Sequence, residues 1–507
     1  MGWYSRAALA VVAGSFFASA CSGSYSGVGL TETSPDGGNG NDAGPIAPQP
    51  GAACDAATAP ACAGDDLVTC NAGQIARTTC PLGCTSVGCQ HLDSTTSADS
   101  VDIGGATADS TFASGDTIQL NTDTGKITRI LASGSSEVLR DGGNGAIGGI
   151  TWSAVSQNAG GAPQLGVFGF ASFTLGAGTT LTVTGRSALV IVTTTGTNIL
   201  GTLVVRPDCA ASRTSHGVSI GAALATSGSL FNVVATNGMP GSGTVGTVDT
   251  GSPNLCSGAG GGANSTIGTN GQRMRVSASR NPDPGRRGDA RSGTIFDTPI
   301  IAGGASGGSP VSAVVGPQSE TTIGGVGGLG GGAVALLSDG PVVVAGTIDA
   351  GGCGGTLAPS EAASPSCVAA GGGGAGGTVF FEAATVTIRS DARILANGGG
   401  GGGGTPSVEA YRATGADASS TDTTPAPGGR AGGSSSAGAC DGGGNGSPTT
   451  STPGTCAITS GVAVSGRGSG GGGGAGVVAA RTRTGDITTE AGAIISPGFI
   501  TANVAVK

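Results

Sequence analysis

The chain reads as all-β: a right-handed parallel β-helix or solenoid with long glycine-rich loops, preceded by a small disulfide-rich module, with a β-sandwich as the alternative. Three observations predict this. A strand-like phrase recurs at 188–203, 333–348, 378–395 and 477–495, each copy built of two or three β-branched runs separated by polar turns. Coils of that kind bury an apolar face only by stacking on one another. Glycine supplies 104 of 507 residues, yet Val, Ile, Leu and Thr stay clustered in alternating runs, which disordered chains lack. Cysteine is concentrated, with six of the 13 falling between Cys54 and Cys89.

The first element, 1–20, is read as a signal peptide. Arg6 supplies a positive start, residues 7–17 an apolar stretch, and Ala18, Ser19 and Ala20 the small residues before a cut. Cys21 follows at once, and Ala18-Ser-Ala-Cys21 resembles the lipobox of bacterial lipoproteins, in which the cysteine is acylated and becomes the mature N-terminus. Ala18 stands where that motif prefers Leu, and ordinary cleavage near Ala20 with Cys21 incidental is the competing reading. Setting Cys21 aside leaves an even number of the 13 cysteines, as an oxidising compartment favours. No later stretch reaches eighteen uninterrupted apolar residues, so the lipid is the only membrane anchor expected.

Residues 21–53 form a tether rich in Gly, Ser, Pro, Asn and Asp, without apolar periodicity. About thirty such residues reach roughly 30 Å. Residues 54–91 follow as a disulfide module of Cys54, Cys62, Cys70, Cys80, Cys84 and Cys89. Its apolar content is too small for a core, so cross-links must substitute, and any of the fifteen pairings of six cysteines is open. Cys80 and Cys84 have zinc-like spacing, but the lone His91 supplies no second ligand pair, and disulfides are the expectation.

From 95 to 507 one glycine-rich β domain is expected. Strands are read at 117–120, 125–131, 149–152, 165–170, 173–175 and 180–183, where apolar residues alternate with polar ones. Glycine runs at 330–332, 371–377 and 470–476 stand just before a strand, a position that suits close approach of backbones. Gly398 to Gly404 are read first as mobile, with pairing as extended polyglycine the alternative. Three inserted loops each hold two cysteines, Cys209 with Cys256, Cys353 with Cys367 and Cys440 with Cys456, and each pair is expected to close its own loop.

Chemistry is sparse. Asp349, Asp391 and Asp486 fall near repeat turns with Arg389, Arg393, Arg481 and Arg483 nearby, the residue types a polysaccharide-cleaving solenoid would use. Aspartate also favours turns for its own backbone hydrogen bonding, and that reading is preferred. His91 and His216 belong to no triad or metal spacing, so no catalysis, cofactor or metal is expected. The net charge of −9 argues against nucleic acid as a partner and against a basic membrane-surface patch. One basic loop stands apart: Arg273, Arg275, Arg280, Arg286, Arg287 and Arg291 against Asp283 and Asp289, net +4, a candidate for anion binding through bidentate guanidinium contacts.

The stretch Leu165-Gly-Val-Phe-Gly-Phe-Ala-Ser-Phe-Thr-Leu-Gly-Ala-Gly-Thr-Thr-Leu-Thr-Val-Thr-Gly185, with the glycine-preceded repeats and the six-cysteine module, resembles glycine-rich hypothetical lipoproteins of Gram-negative soil bacteria. That family has no assigned activity. The resemblance implies export and a lipid-anchored place on the outer membrane or cell surface, since Ser22 is not the aspartate linked to inner-membrane retention. Similarity to the PE-PGRS proteins is in composition only, because their N-terminal helical domain is missing. The expected function is structural or adhesive, with the membrane as one partner through the lipid anchor; the alternative is a polysaccharide-binding or polysaccharide-cleaving solenoid.

Overall fold

The computed structural model describes residues 49–506 apart from 56–59, 81, 86–87, 95, 102, 114, 132, 159–161, 211–242, 245–256, 272–284, 292–294, 297–298, 310–324, 357–369, 404–413, 430–439, 442–443, 445, 447–454 and 457–468. The signal peptide and Cys21 lie outside these residues. Residues 50–507 form one compact unit.

The cysteine module comes first. Strands β1 (Ala61–Ala63), β2 (Asp66–Asn71) and β3 (Gln74–Thr79) make an antiparallel sheet, and β4 (Cys84–Thr85) pairs with β5 (Gly88–Cys89). All six cysteines are cross-linked, Cys54 to Cys70, Cys62 to Cys84 and Cys80 to Cys89. Pairing starts upstream of Cys54, inside the stretch read as tether, where Ala53 bridges to Gln74. The module docks on the β domain: buried Leu82 and Leu92 pack with Val504, and Leu92 bridges to Val506.

A 3-10 turn, Ser97–Ser100, leads into two facing sheets. The chain supplies β6 (Asp109–Phe112), β7 (Thr117–Asn121), β8 (Ile127–Ile130), β9 (Ser136–Arg140), β10 (Gly145–Ile147) and β11 (Ile150–Val155). Thereafter it alternates between the sheets. Longer strands β12 (Leu165–Leu175), β14 (Ala188–Ile199), β16 (Ala333–Val344), β18 (Thr378–Ile388) and β22 (Val477–Thr482) enter a ten-stranded sheet. Shorter ones, β13 (Thr180–Thr184), β15 (Thr202–Val204), β17 (Thr347–Asp349), β19 (Arg393–Leu395) and β24 (Ile494–Ser496), enter an eight-stranded sheet. β20 (Cys440–Asp441) and β21 (Thr455–Cys456) form a separate ladder, and β23 (Ile487–Thr489) and β25 (Ile500–Asn503) complete the larger sheet. Both sheets are mixed. The alternating strands pair in parallel, whereas the β10–β11–β12 and β7–β8–β9 pairings are antiparallel.

Parallel register stacks like on like. Phe168, Ile191, Leu336, Phe381 and Ala480 form one ladder of the larger sheet, and Ile118, Leu181, Leu203, Ile348, Ile394 and Ile495 form its counterpart on the smaller. These faces meet in the main core. The recurring phrase is therefore one long strand, a turn and one short strand, and period two divides the apolar residues of the long strands between the main core and a second buried cluster on the outer face, where Val167, Val190 and Leu337 lie.

Arg140 closes one end of this stack. It is 1% exposed, and its guanidinium donates to the carbonyls of Gly125, Asp141, Gly143, Gly145 and Ile150. Five backbone acceptors, from the β7–β8 turn, the glycine-rich turn after β9 and the start of β11, thus converge on one cation, and desolvation lowers its pKa.

Candidate functional site

The glycine runs are a structural element in their own right. In 370–377 the amides of residues 371, 374 and 377 donate to Thr356, Cys353 and Ala350; those of 372 and 375 donate to Gly308 and Ala305; and those of 373 and 376 donate to Gly471 and Gly474. Each row takes every third residue. A strand bonds with period two and an α-helix bonds within itself, so period three toward three different neighbours identifies the polyproline II conformation, which has three residues per turn and no internal hydrogen bonds. Carbonyls of the same run accept from 257–263, 325–332 and 396–403, through Gly262 to Gly373, Gly328 to Gly372 and Gly399 to Gly374. One run thus has six bonded neighbours in a hexagonal bundle. At position 372 only glycine fits: a Cβ there would stand 2.0 Å from the Gly260 carbonyl oxygen.

This corrects the reading of Gly398 to Gly403 as mobile; Gly404 lies outside the described residues. Gly398 to Gly403 are buried, and Gly399, Gly400, Gly401 and Gly402 all donate within the bundle, to Gly374, Ala416, Gly444 and Gly371.

Runs 325–332, 370–377 and 469–476 lead straight into β16, β18 and β22, while 350–356 and 396–403 leave β17 and β19. The ends away from the sheets are drawn together by bonds from Thr356 to Val326, Gly371 to Thr356, Gly372 to Gly308, Gly402 to Gly371 and Gly470 to Gly402. Residues 309, 325, 356, 370, 403 and 469, which flank insertions in the sequence, therefore share one end of the bundle.

The basic loop is placed in part. Arg273, Arg275 and Arg280 lie outside the described residues. Arg286 and Arg287 are exposed on 285–291, which is itself a bundle member: Gly285 donates to Gly258, Gly288 to Gly261 and Arg291 to Asn264. Arg291 does not share their exposure. Its Nε donates to Asn264 Oδ1 at 3.1 Å, Nη1 and Nη2 reach Ile300 O and Thr378 Oγ1, and desolvation lowers its pKa to about 10. Arg291 thus holds the junction of bundle and sheet, while Arg286 and Arg287 remain facing solvent.

The three aspartates do not converge. Asp349 is buried at the end of β17, 3.0 Å from Arg206 Nη1, and its carboxylate accepts from the Gly351 amide. Asp391 is exposed in the turn before β19, and Asp486 is exposed before β23, where the register aligns Ile487 with Val386. These are three different places in the repeat, so no carboxylate pair forms among them. Arg389 instead pairs with Glu490 at 2.5 Å, a contact that holds the Glu490 carboxyl below its ordinary range.

The loop cysteines are also corrected. Cys209 bonds to Cys353, not to Cys256, and Cys353 is therefore not paired with Cys367. Register is the reason: Val204 aligns with Asp349, the amides of Val205 and Arg206 both donate to the Asp349 carbonyl, and the next residues run alongside 350–353. Cys256 and Cys367 lie outside the described residues. Cys440 and Cys456 face each other across the β20–β21 ladder. Asp417 brings a carboxylate oxygen within 4.8 Å of both Cys209 and Cys353 sulfurs, a grouping with metal-ligand chemistry. The sulfurs are spent on each other, and Arg206 Nη2 lies 3.8 Å from Cys209 Sγ, so a cation there would meet a guanidinium.

A buried ion pair escaped the sequence reading. Glu382 of β18 is 0% exposed, aligned with Arg481 of β22 at 3.8 Å, on the outer face of the larger sheet. Burial raises its carboxyl to about 7, with Asp99 and Asp93 acting in the same direction and the Ser94 hydroxyl and Arg481 opposing. Arg481 also lies 5.2 Å from the Phe296 ring centroid and donates to the Phe296 carbonyl. The sequence signal was Arg481 itself, in a strand position that the repeat otherwise gives to Leu337 and Val192.

No protein family, curated protein or solved structure matches this chain.

Proposed function

We propose that the protein is a lipid-anchored cell-surface protein with a structural or adhesive role, its β-stack a solenoid held off the outer membrane by the Cys21 acyl anchor, the tether and the disulfide module. The observation that carries this reading is the shared end of the bundle, where chain ends flanking the insertions gather while the rest is committed to backbone bonding and core. Such a scaffold suits display. The four disulfides are compatible with export. As with the glycine-rich lipoproteins that the sequence resembles, no reaction is proposed.

Mass spectrometry of the mature N-terminus tests the anchor: a diacylated, palmitate-bearing Cys21 is expected, and an unmodified terminus rejects it. Polysaccharide binding is the second reading, favoured by the exposed pair Arg286 and Arg287 near the shared end. Acidic glycans should then bind on an array and be lost with Arg286→Ala plus Arg287→Ala. Unchanged binding by the double variant, or none by the native protein, rejects that reading alone.

A further inference from the structure

The outer face of the larger sheet is finished in two ways. Along the first half of the long strands it is apolar, with Val167, Val190, Leu337 and Phe380, and Ala98, Ile295 and Ile301 pack over it. Beyond the register shifts that follow Phe170 and Ser338 the outward residues change character. Thr111 of β6, Thr174 of β12, Asn198 of β14, Val343 of β16, Thr387 of β18 and Thr488 of β23 stand side by side in one parallel register. Their chain neighbours Phe112, Phe173, Ile199, Val342 and Val386 lie in the main core, so period two turns this column outward. Thr111, Asn198 and Thr488 are exposed, and Thr174, Val343 and Thr387 are half-buried.

The column has a fixed repeat. Neighbouring strands lie about 4.8 Å apart, so its six members span roughly 24 Å. Threonine is stiff at its first side-chain torsion, and each threonine rung therefore holds a hydroxyl and a methyl in place. Two residues earlier on their strands, Ser172, Pro341 and Thr385 widen the same face without adding charge. Charges stand at its margins: Asp109 and Asp486 on the outer strands, and the Arg389–Glu490 pair beyond β18 and β23.

We propose that this face binds ice. The strand repeat of about 4.8 Å comes close to the oxygen spacing of the ice lattice, and hydroxyls and methyls set at that interval order first-shell water in a matching array. Composition selects this occupant over others. An acidic glycan or nucleic acid needs cations, and the column has none. A protein partner is ordinarily gripped through aromatic or arginine anchors, which the column also lacks. The face is the same with or without an acyl group on Cys21, so the inference stands apart from the anchoring reading.

The purified full chain should depress the freezing point of water below its melting point and shape growing ice crystals. Thr387→Tyr and Asn198→Tyr, made separately, each set a ring above the column and should lose most of that hysteresis, with the unfolding midpoint unchanged because strands accept aromatic residues. Gln74→Tyr, at an exposed position of β3, is the control and should keep full activity. A native protein that neither shapes ice nor shows hysteresis overturns the proposal, as does activity indifferent to both column variants. Adsorption to crystalline chitin or cellulose with no effect on ice also overturns it.

Discussion

Gly373 donates its amide to the carbonyl of Gly471 at 2.8 Å, joining two polyglycine runs that lie far apart in the chain and point the same way. The bond repeats three residues on, from Gly376 to Gly474, and that repeat distinguishes a packed bundle from slack loops. Its cohesion rests chiefly on backbone groups, helped by side chains such as Asn264, whose amide donates to the Gly376 and Gly377 carbonyls, and Thr269, whose hydroxyl accepts from the Gly472 amide.

A single methyl should therefore be costly inside it. Gly372→Ala would drive a Cβ against the Gly260 carbonyl and should lower stability by about 1–3 kcal/mol or more, as overpacking does. Gly88→Ala, which has open space around its Cβ, is the control and should change little. Thermal unfolding of both variants decides, and equal midpoints would contradict the hexagonal packing.

The Cys209–Cys353 bond should be found by peptide mapping without reduction. It spans 144 residues, and cross-links of that length stabilise by about 3–5 kcal/mol in the chain-entropy account. Cys209→Ser with Cys353→Ser should lower the unfolding midpoint accordingly. Recovery of a peptide joining Cys209 to Cys256 would refute the pairing.

Stability should fall as pH rises through Glu382. Folded, its carboxyl keeps the proton up to about 7; unfolded, it releases it near 4.5. Between these values the folded state binds more protons, so stability is lost from pH 4.5 upward and the loss is complete above 7. Glu382→Gln mimics the protonated form. It should match the native protein near pH 4 and exceed it above pH 7 by an amount on the order of 3 kcal/mol. Denaturant unfolding at the two pH values measures the difference, and a constant gap would remove the titration from Glu382.

Arg140→Met keeps bulk and removes every donor. Five carbonyls would lose their partner, and destabilisation of about 3 kcal/mol or more is expected. Hydrogen exchange should quicken first in 141–149, and unchanged protection there would show that the turn holds without the guanidinium.

The strands were legible in the sequence because alternation is local. Residues 333–348 and 378–395 mark β16 with β17 and β18 with β19 to within a residue or two at each boundary. Pairing at a distance was not legible. Cys209 meets Cys353 through register set by Val204 and Asp349, and nothing near either cysteine carries that information. The bundle was hidden for a related reason: glycine has no side chain to show a period, and the threefold order of 370–377 exists only in its six neighbours. The one visible trace was the constant place of the glycine runs before a strand.

The bundle also bears on how folding of this protein is judged. Polyproline II is a major conformer of unfolded chains, so its far-ultraviolet circular dichroism is the curve ordinarily taken for disorder. Here the same backbone is dry, close-packed and bonded on all sides. A spectrum of the native molecule would understate its order, and slow amide exchange in the glycines would be the truer gauge.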